Sequence, residues 1–225
     1  MLLRYCDFNP APFEAHMQVF KLINEGEKVL DIGCATGYFA EKLNEKKCKV
    51  VGIEMEPSAA KLAERFCQKV FIGDAMKISS FSIQKNYFDV ILMLDVLEHF
   101  KDPEAILLSV KNYLKREGRL IISTPNVAHI SVRVKIMAGK FDYQESGILD
   151  KSHLHFFTKK NLIKIIKEAG LGISEINYSA DFGQIPVFGR ILRRIPKKIQ
   201  YRLTKLFSNL LAVQFIVICQ RPSKR

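Results

Sequence analysis

Small residues at alternating positions follow the first apolar run of the chain. The segment "VLDIGCATGYFAEKL" spans residues 29–43 and places Gly33, Ala35 and Gly37 shortly after Asp31. Small side chains allow a backbone turn to approach a ligand, and a helix that starts after the turn offers free N–H groups and a partial positive charge. The turn is therefore a candidate site for a nucleotide-like ligand. The alternative is that its glycines merely permit a tight turn.

Four histidines could move a proton in a reaction, because imidazole titrates near neutral pH. They are His99, His129, His153 and His155. His153 lies in "DKSHLHFF" before a predicted helix that Thr158 caps, and His99 follows the fourth predicted strand. We expect His153 and His99 to be the catalytic residues, against the alternative that each histidine is structural.

Short apolar runs alternate along the chain with segments of helical periodicity. Strands are predicted at residues 28–32, 49–54, 69–72, 88–94, 118–123, 172–178 and 213–220, and helices at 38–46, 58–66, 103–115 and 159–169. This alternation predicts a doubly wound, Rossmann-like α/β sheet that is mostly parallel and has an antiparallel last strand. In such sheets ligands bind beyond the carboxyl ends of the strands, where the glycine-containing turn lies.

One domain is predicted over residues 1–225, because 225 residues are too few for two large cores. Within it we distinguish a cofactor half at about 28–124, an acceptor-side segment at 125–157 and a basic amphipathic insertion at about 183–211. The segment 125–157 is irregular, and loops of that length usually carry function or short helices of their own. It is therefore predicted to face the substrate.

The turn resembles the first motif of the class I S-adenosylmethionine-dependent methyltransferases, (D/E)xGxGxG. Asp31, Gly33 and Gly37 match it, and Ala35 takes the place of the middle glycine. The dinucleotide motif GxGxxG is less similar, because its third glycine would fall on Tyr38. The resemblance implies S-adenosylmethionine as the cofactor.

Three further segments resemble the same family in the same order, so that the similarity spans roughly residues 28–124. Glu54, followed by Met55 in "VVGIEMEP", takes the position of the carboxylate that accepts both ribose hydroxyls in this family. Asp74, followed by Ala75 in "FIGDAM", takes the position of the acid near the adenine amino group. The fourth strand and its loop, "FDVILMLDVLEHF", complete the resemblance and imply that Asp95 also belongs to the cofactor site.

The loop after the fourth strand carries a second resemblance. Asp95, Glu98 and His99 are similar to the set that binds a divalent cation in the ubiquinone-biosynthesis O-methyltransferases. We expect catalysis without a metal and keep this set as the alternative.

A methyl sulfonium has an excellent leaving group, so the enzyme mainly has to hold the acceptor, and a base such as His153 helps when the acceptor is a hydroxyl.

The acceptor class follows from a less specific resemblance. The segment from "NVAHISVRVKIM" to "HLHFFTKKNL" is similar to methyltransferases of cell-surface polysaccharide and lipid biosynthesis. This implies a small-molecule, glycan or lipid-linked acceptor, with methyl transfer to a hydroxyl of a sugar, a glycolipid or another small molecule. A nucleic-acid methyltransferase is the rival for a basic protein, yet "LDVLEHF" stands where an (N/D)PP(Y/F) motif would be, and no Pro-Cys pair is present. An inactive cofactor-binding interaction module is the remaining alternative.

Positive charge is concentrated at the end of the sequence. The chain has a net charge of +12, and residues 182–225 contain ten Lys or Arg and no Asp or Glu. Around Pro196 the apolar residues recur every three or four positions, which predicts two amphipathic helices. Their apolar side either packs on the domain or, through residues 188–211, contacts an anionic membrane.

The cysteines and the first residues bear on the cellular compartment. Five cysteines without a CxxC pair indicate reduced thiols, and "MLLRYCDFNP" has no apolar signal segment. We therefore expect a cytoplasmic protein, with possible peripheral contact at the inner membrane surface.

Overall fold

The strands of the described chain form a single sheet. The computed structural model describes residues 7–185 and 189–222. Within them the strands are β1 (Lys28–Ile32), β2 (Lys49–Glu54), β3 (Lys69–Ile72), β4 (Phe88–Leu94), β5 (Leu114–Pro125), β6 (Gly172–Tyr178) and β7 (Gln214–Gln220). They pair in the order β3-β2-β1-β4-β5-β7-β6, so the strand order reverses between β1 and β4.

Helices connect the strands and cover both faces of the sheet. They are α1 (Ala15–Leu22), α2 (Tyr38–Asn44), α3 (Pro57–Ala63), α4 (Pro103–Val110), α5 (Ile130–Met137), α6 (Lys159–Glu168), α7 (Gly189–Leu192), α8 (Lys197–Leu206) and α9 (Ser208–Leu211). Short 3-10 segments lie at Ala75–Ser80, Leu97–His99, Lys111–Tyr113 and Phe182–Gln184. No helix within residues 7–185 and 189–222 is long and apolar enough to cross a membrane.

The predicted fold class is confirmed. The pairs from β3 to β5 are parallel, whereas β7 runs antiparallel to both β5 and β6. β1 and β4 are buried nearly throughout, as expected for central parallel strands covered on both faces. Two apolar clusters pack on opposite faces of the sheet, one around Ile91 and Met93 and the other around Val90 and Leu92.

Five of the predicted strands have the predicted bounds, but the predicted start of β5 was wrong. A helix was expected through residue 115 and a strand from 118, whereas α4 ends at Val110 and β5 begins at Leu114. Leu114 is fully buried and pairs with Phe88, before a bulge that shifts the register of the two strands. A Cβ on Gly118 would lie 2.9 Å from the Phe88 carbonyl oxygen, so the bulge requires glycine there.

The remaining differences lie at the ends of helices and of two strands, since β7 starts one residue late and β5 runs to Pro125, and in segments without a prediction. The helices expected at 38–46, 58–66 and 159–169 end one to three residues earlier, and α1 was not predicted. The segment 125–157 contains α5. The described part of the basic insertion contains three helices where two were predicted, with Pro196 directly before α8. Phe188, the first residue of the stretch 188–211 that is predicted to contact a membrane, lies outside the described residues.

Candidate active site

The turn after β1 is held in a conformation that only small residues tolerate. Gly33 and Gly37 have φ angles of +72° and +80°. A Cβ on Gly33 would lie 2.3 Å from Val96 Cγ2, and one on Gly37 would lie 2.8 Å from the Cα of Ala63 in α3. The turn is therefore packed between α3 and the loop after β4, at the point where the strand order reverses.

Glu54 connects this turn to the end of β2. The Ala35 N–H donates a 2.9 Å hydrogen bond to Glu54 Oε2, and the Glu56 N–H donates one of 2.9 Å to Oε1. Ala35 itself has a φ of +47°, which is uncommon for a residue with a Cβ. Each carboxylate oxygen can accept more than one hydrogen bond, so Glu54 retains acceptor capacity for a ligand hydroxyl.

Two further acids lie on the neighbouring strand ends. Asp31 is buried in β1, and burial together with the nearby Glu54 charge raises its pKa to about 7. Asp74 is exposed after β3, where its Oδ1 accepts a 2.9 Å hydrogen bond from the Met76 N–H. Ala75 beside it is buried, whereas the side chain of Met55 is 71% exposed.

These residues fit the chemistry of S-adenosylmethionine. Carboxylates at the ends of β1, β2 and β3 offer acceptors for hydroxyl and amino groups and negative charge for a cationic ligand. The small residues of the turn leave its backbone accessible beside them. The residues that would hold the cofactor are Asp31, Gly33, Ala35, Gly37, Glu54, Met55, Asp74, Ala75 and Asp95.

Asp95, directly after β4, is fixed by neighbours from two other strands. Its Oδ1 accepts a 3.0 Å hydrogen bond from Ser123 Oγ on β5, and its Oδ2 accepts a 2.7 Å bond from Gln214 Nε2 on β7. Burial raises the pKa of Asp95, and the Ser123 hydrogen bond opposes that rise. Asp95 also has a φ of +52°, which turns the chain sharply out of β4.

Glu98, His99 and His153 meet beyond Asp95. The side chain of Glu98 is 1% exposed, and among the described residues neither of its carboxyl oxygens has a hydrogen-bond partner. His153 Nε2 lies 3.9 Å from Glu98 Oε1, and the His153 and His99 ring centres are 4.9 Å apart. The main chain joins the two segments, because the Leu154 and His155 N–H groups both donate to the Glu98 carbonyl oxygen.

Burial favours the uncharged forms of the acid and the imidazole of this cluster. Burial, reinforced by the Asp95 charge, raises the pKa of Glu98 well above its ordinary value. Burial, reinforced by His99, lowers the pKa of His153. Because His153 Nδ1 lies 3.3 Å from the Ile148 carbonyl oxygen, we assign the ring hydrogen to Nδ1, which leaves the Nε2 lone pair facing Glu98.

The residues that could hold a cation in the structure differ in one member from the set named in the sequence analysis. The potential ligand atoms of Glu98, His99 and His153 all lie within 4.8 Å of one another, whereas both Asp95 oxygens bind protein groups. His153 thus takes the position in the cluster that the sequence assigned to Asp95. One carboxylate and two imidazoles form a donor set more typical of a transition metal than of Mg²⁺.

The other two candidate histidines lie outside this cluster. His129 is buried, its Nδ1 accepts a 3.2 Å hydrogen bond from the Ser131 N–H at the start of α5, and burial lowers its pKa to about 4. His155 Nε2 lies 3.3 Å from the Lys101 carbonyl oxygen. His129 is therefore a helix-capping residue.

Sequence reasoning missed two residues near Asp95. Gln214 interrupts the apolar run "LLAVQFIVIC", and this isolated polar residue in a predicted strand was the available signal. The Nε2 atom of His16 in α1 lies 3.4 Å from the Tyr38 hydroxyl. Burial lowers the pKa of His16, and the Asp95 charge opposes that decrease. Because α1 was not predicted, nothing in the sequence pattern placed His16 near the site.

Known proteins resemble this chain in sequence. The chain is 36% identical over 110 residues to a ubiquinone biosynthesis O-methyltransferase of Glaesserella parasuis, with 45% of this chain and 46% of that protein covered. It is 32% identical over 158 residues to the protein of the same name from Idiomarina loihiensis, with 68% and 64% covered. The chain thus spans less than two thirds of the length of these relatives.

A solved structure supports the same fold. A SAM-dependent methyltransferase from Archaeoglobus fulgidus superposes with a TM-score of 0.64 at 18% identity, over 94% of this chain and 97% of the other. The family described as "Methyltransferase domain" matches residues 8–176, which include every residue predicted to bind the cofactor. The resemblance to S-adenosylmethionine-dependent enzymes is thereby confirmed, and the chain belongs to the methyltransferase-domain family.

Proposed function

We propose that this chain transfers a methyl group from S-adenosylmethionine to a hydroxyl oxygen of a small molecule. The observation that carries the proposal is the position of the buried Glu98–His153 pair next to the glycine turn. Val96, which packs on the turn, and Glu98 belong to the same loop after β4. The proposed proton acceptor and the proposed cofactor cradle would therefore lie side by side.

The cofactor half would hold S-adenosylmethionine through its strand ends. Glu54 would accept hydrogen bonds from the ribose hydroxyls, and Asp74 would lie near the adenine. The protein backbone of the turn from Gly33 to Gly37 would pass close to the ligand. When bound, the cofactor supplies a methyl group attached to a good leaving group. The main task of the protein is then to hold the acceptor oxygen near attack distance.

His153 would take the proton that the acceptor hydroxyl loses as its oxygen forms the new bond. Its Nε2 lone pair faces the interior of the cluster, while Nδ1 is anchored at the Ile148 carbonyl. His99 packs edge-on against His153 and would orient it, since its own Nδ1 lies 3.1 Å from the Ser152 carbonyl oxygen. This assignment makes His153 the general base.

The acceptor would be a hydroxyl of a sugar, a glycolipid or another small molecule. The relatives from Glaesserella parasuis and Idiomarina loihiensis are named as O-methyltransferases of ubiquinone biosynthesis, which favours an oxygen acceptor. A radiolabelled methyl-donor assay against fractionated cell extract would identify the acceptor, because the labelled product can be isolated by its radioactivity.

Replacing His153 tests the proposed base. We expect His153→Ala to lower turnover by about 10²-fold or more while leaving cofactor affinity unchanged. His155→Ala is the matched control, because His155 is a neighbouring imidazole outside the cluster. An increase of the acceptor KM alone would make His153 a positioning residue, and a loss of folding without a separate loss of turnover would make it structural.

A further inference from the structure

Helix α8 has its polar side buried and its apolar side exposed. Gln200 and Thr204 are fully buried, whereas Ile199 is 47% exposed and Leu206 is 73% exposed. Leu203, between these two apolar residues on the helix surface, is exposed as well. This arrangement is the reverse of an ordinary surface helix, whose apolar side faces the core.

Polar contacts fix the orientation of α8. Gln200 Oε1 accepts a 3.1 Å hydrogen bond from the Phe182 N–H, and Gln200 Nε2 donates a 2.7 Å bond to the Ile195 carbonyl oxygen. At the next residue, the ring of Tyr201 stacks on Phe13 with 4.7 Å between the centres. Rotating the helix to bury its apolar stripe would break these contacts and leave a buried amide unpaired.

A stripe of cations lies beside the apolar stripe. Lys198, Arg202 and Lys205 follow the same four- and three-residue spacing as Ile199, Leu203 and Leu206, one position away. Residues 182–225 contain no Asp or Glu, so no acid within this segment neutralises the cations. Lys197 pairs instead with Asp181, at 3.3 Å on the inner side of the helix.

The surface continues toward α5. A cleft of about 400 Å³ is lined by Arg133 of α5 and by the consecutive residues from Leu206 to Leu210. Met137, at the end of α5, is 86% exposed, and Ile136 is exposed beside it. We define the basic apolar face as the exposed basic and apolar residues along the stripes of α8, the cleft and the end of α5: Arg133, Ile136, Met137, Lys198, Ile199, Arg202, Leu203, Lys205, Leu206 and Phe207.

We propose that the basic apolar face docks the protein onto the surface of a membrane containing anionic phospholipids. Helices that lie in a membrane interface have adjacent apolar and cationic stripes: the first enters the acyl boundary, and the second contacts the headgroups. A second copy of the chain would bring two cationic surfaces of the same sign together. A nucleic acid would match the cations, but it would leave the apolar stripe exposed to water.

Docking would place the acceptor-side segment against the lipid. α5 contributes to the basic apolar face and belongs to residues 125–157, the segment that also carries His153. An acceptor embedded in the membrane could then reach the site without crossing much water. The docking itself does not depend on methyl transfer, because binding to vesicles can be measured without cofactor or acceptor.

Vesicle co-sedimentation tests the proposal. We expect the full chain to sediment with phosphatidylcholine vesicles that contain phosphatidylglycerol and to stay in solution with pure phosphatidylcholine, and we expect added salt to weaken the binding. Changing Arg133, Lys198, Arg202 and Lys205 together to Gln should weaken it by about 10²-fold or more. The same number of exposed lysines elsewhere, Lys49, Lys61, Lys85 and Lys164, changed to Gln provides the control with the same net charge.

The apolar stripe needs its own variant. Leu203→Ser together with Leu206→Ser keeps every cation, and it should reduce vesicle binding even at low salt, because the membrane contact then lacks its apolar part. The proposal is overturned if binding is equal for both lipids or if the control variant loses as much as the test variant. It is also overturned if size-exclusion chromatography without vesicles shows a dimer that the serine variant abolishes, because a second copy would then cover the face. Binding to a DNA oligonucleotide that the serine variant retains in full would point to nucleic acid instead.

Discussion

The turn after β1 and helix α8 differ in how closely the rest of the protein packs against them. In the turn, no room is left for a side chain at Gly33 or Gly37, because α3 and the loop after β4 are already in contact with it. On α8, large apolar side chains have no described protein neighbour to cover them and remain exposed. Tight packing at the turn indicates a site preorganised for a ligand, whereas the uncovered stripe indicates a surface completed by something outside the chain.

The largest expected effect is at Gly37. Gly37→Ala combines a positive φ with a clash against the Ala63 backbone, which cannot move aside as a flexible side chain could. We expect a loss of about 3–5 kcal/mol in the free energy of unfolding, measured by denaturant titration. Gly139→Ala is the control, because Gly139 has a φ of +71° but no atom within 4 Å of its Cβ position, and it should cost only about 1–2 kcal/mol. Equal losses would show that backbone strain alone matters.

Replacement of Asp31 should stabilise the protein. Its folded pKa of about 7 lies above the ordinary value of 3.8, so its contribution to stability is greatest below pH 4 and is lost as the pH rises through 7. Asp31→Asn should therefore raise the free energy of unfolding at pH 8 by about 2–4 kcal/mol and leave it nearly unchanged at low pH. Urea titrations across this pH range without cofactor will measure the difference.

Asp89 provides a control of opposite sign. Burial favours a higher pKa there, but Lys115 and the Lys28 N–H outweigh it and hold the pKa of Asp89 below its ordinary value. Its contribution to stability is consequently present above the ordinary pKa and lost as the pH falls. Asp89→Asn should destabilise the protein at pH 8, and a stabilisation there would undermine the electrostatic account of both residues.

A smaller effect is expected for Glu54 and cofactor binding. Glu54→Ala removes the carboxylate that would accept the ribose hydroxyls, and calorimetry should show weaker S-adenosylmethionine binding by about 1.5–3 kcal/mol. Glu56→Ala is the control, since the Glu56 side chain accepts from the Ser58 N–H at the start of α3 instead of facing the turn. Unchanged affinity in the Glu54 variant would remove this residue from the ribose role.

The smallest effect is expected on α8. Leu206→Ala should change the free energy of unfolding by no more than about 0.5 kcal/mol, because the side chain is already exposed to water. Leu162→Ala, in the equally long α6, removes a fully buried side chain and should cost about 2–5 kcal/mol. A large loss from the Leu206 variant in thermal or denaturant unfolding would mean that the stripe packs on the domain in solution.

Local patterns determined much of this protein from sequence alone. The bounds of β1 to β4 and β6 follow from short apolar runs, and the turn between Asp31 and Gly37 follows from the spacing of its small residues. These signals are readable because a buried strand and a tight turn each restrict residue type within a few positions. The order of the acidic residues at the strand ends was sufficient to indicate the family.

Contacts between distant segments were decided only by the tertiary structure. Gln214 reaches Asp95 across 119 positions of the chain, and His153 joins Glu98 and His99 because the main chain after residue 153 bonds to the Glu98 carbonyl. For α8, periodicity predicted an amphipathic helix but could not tell which side faces the protein. Gln200 settled that orientation through hydrogen bonds to residues 182 and 195, since an amide held by buried partners outweighs the tendency of a few apolar side chains to turn inward.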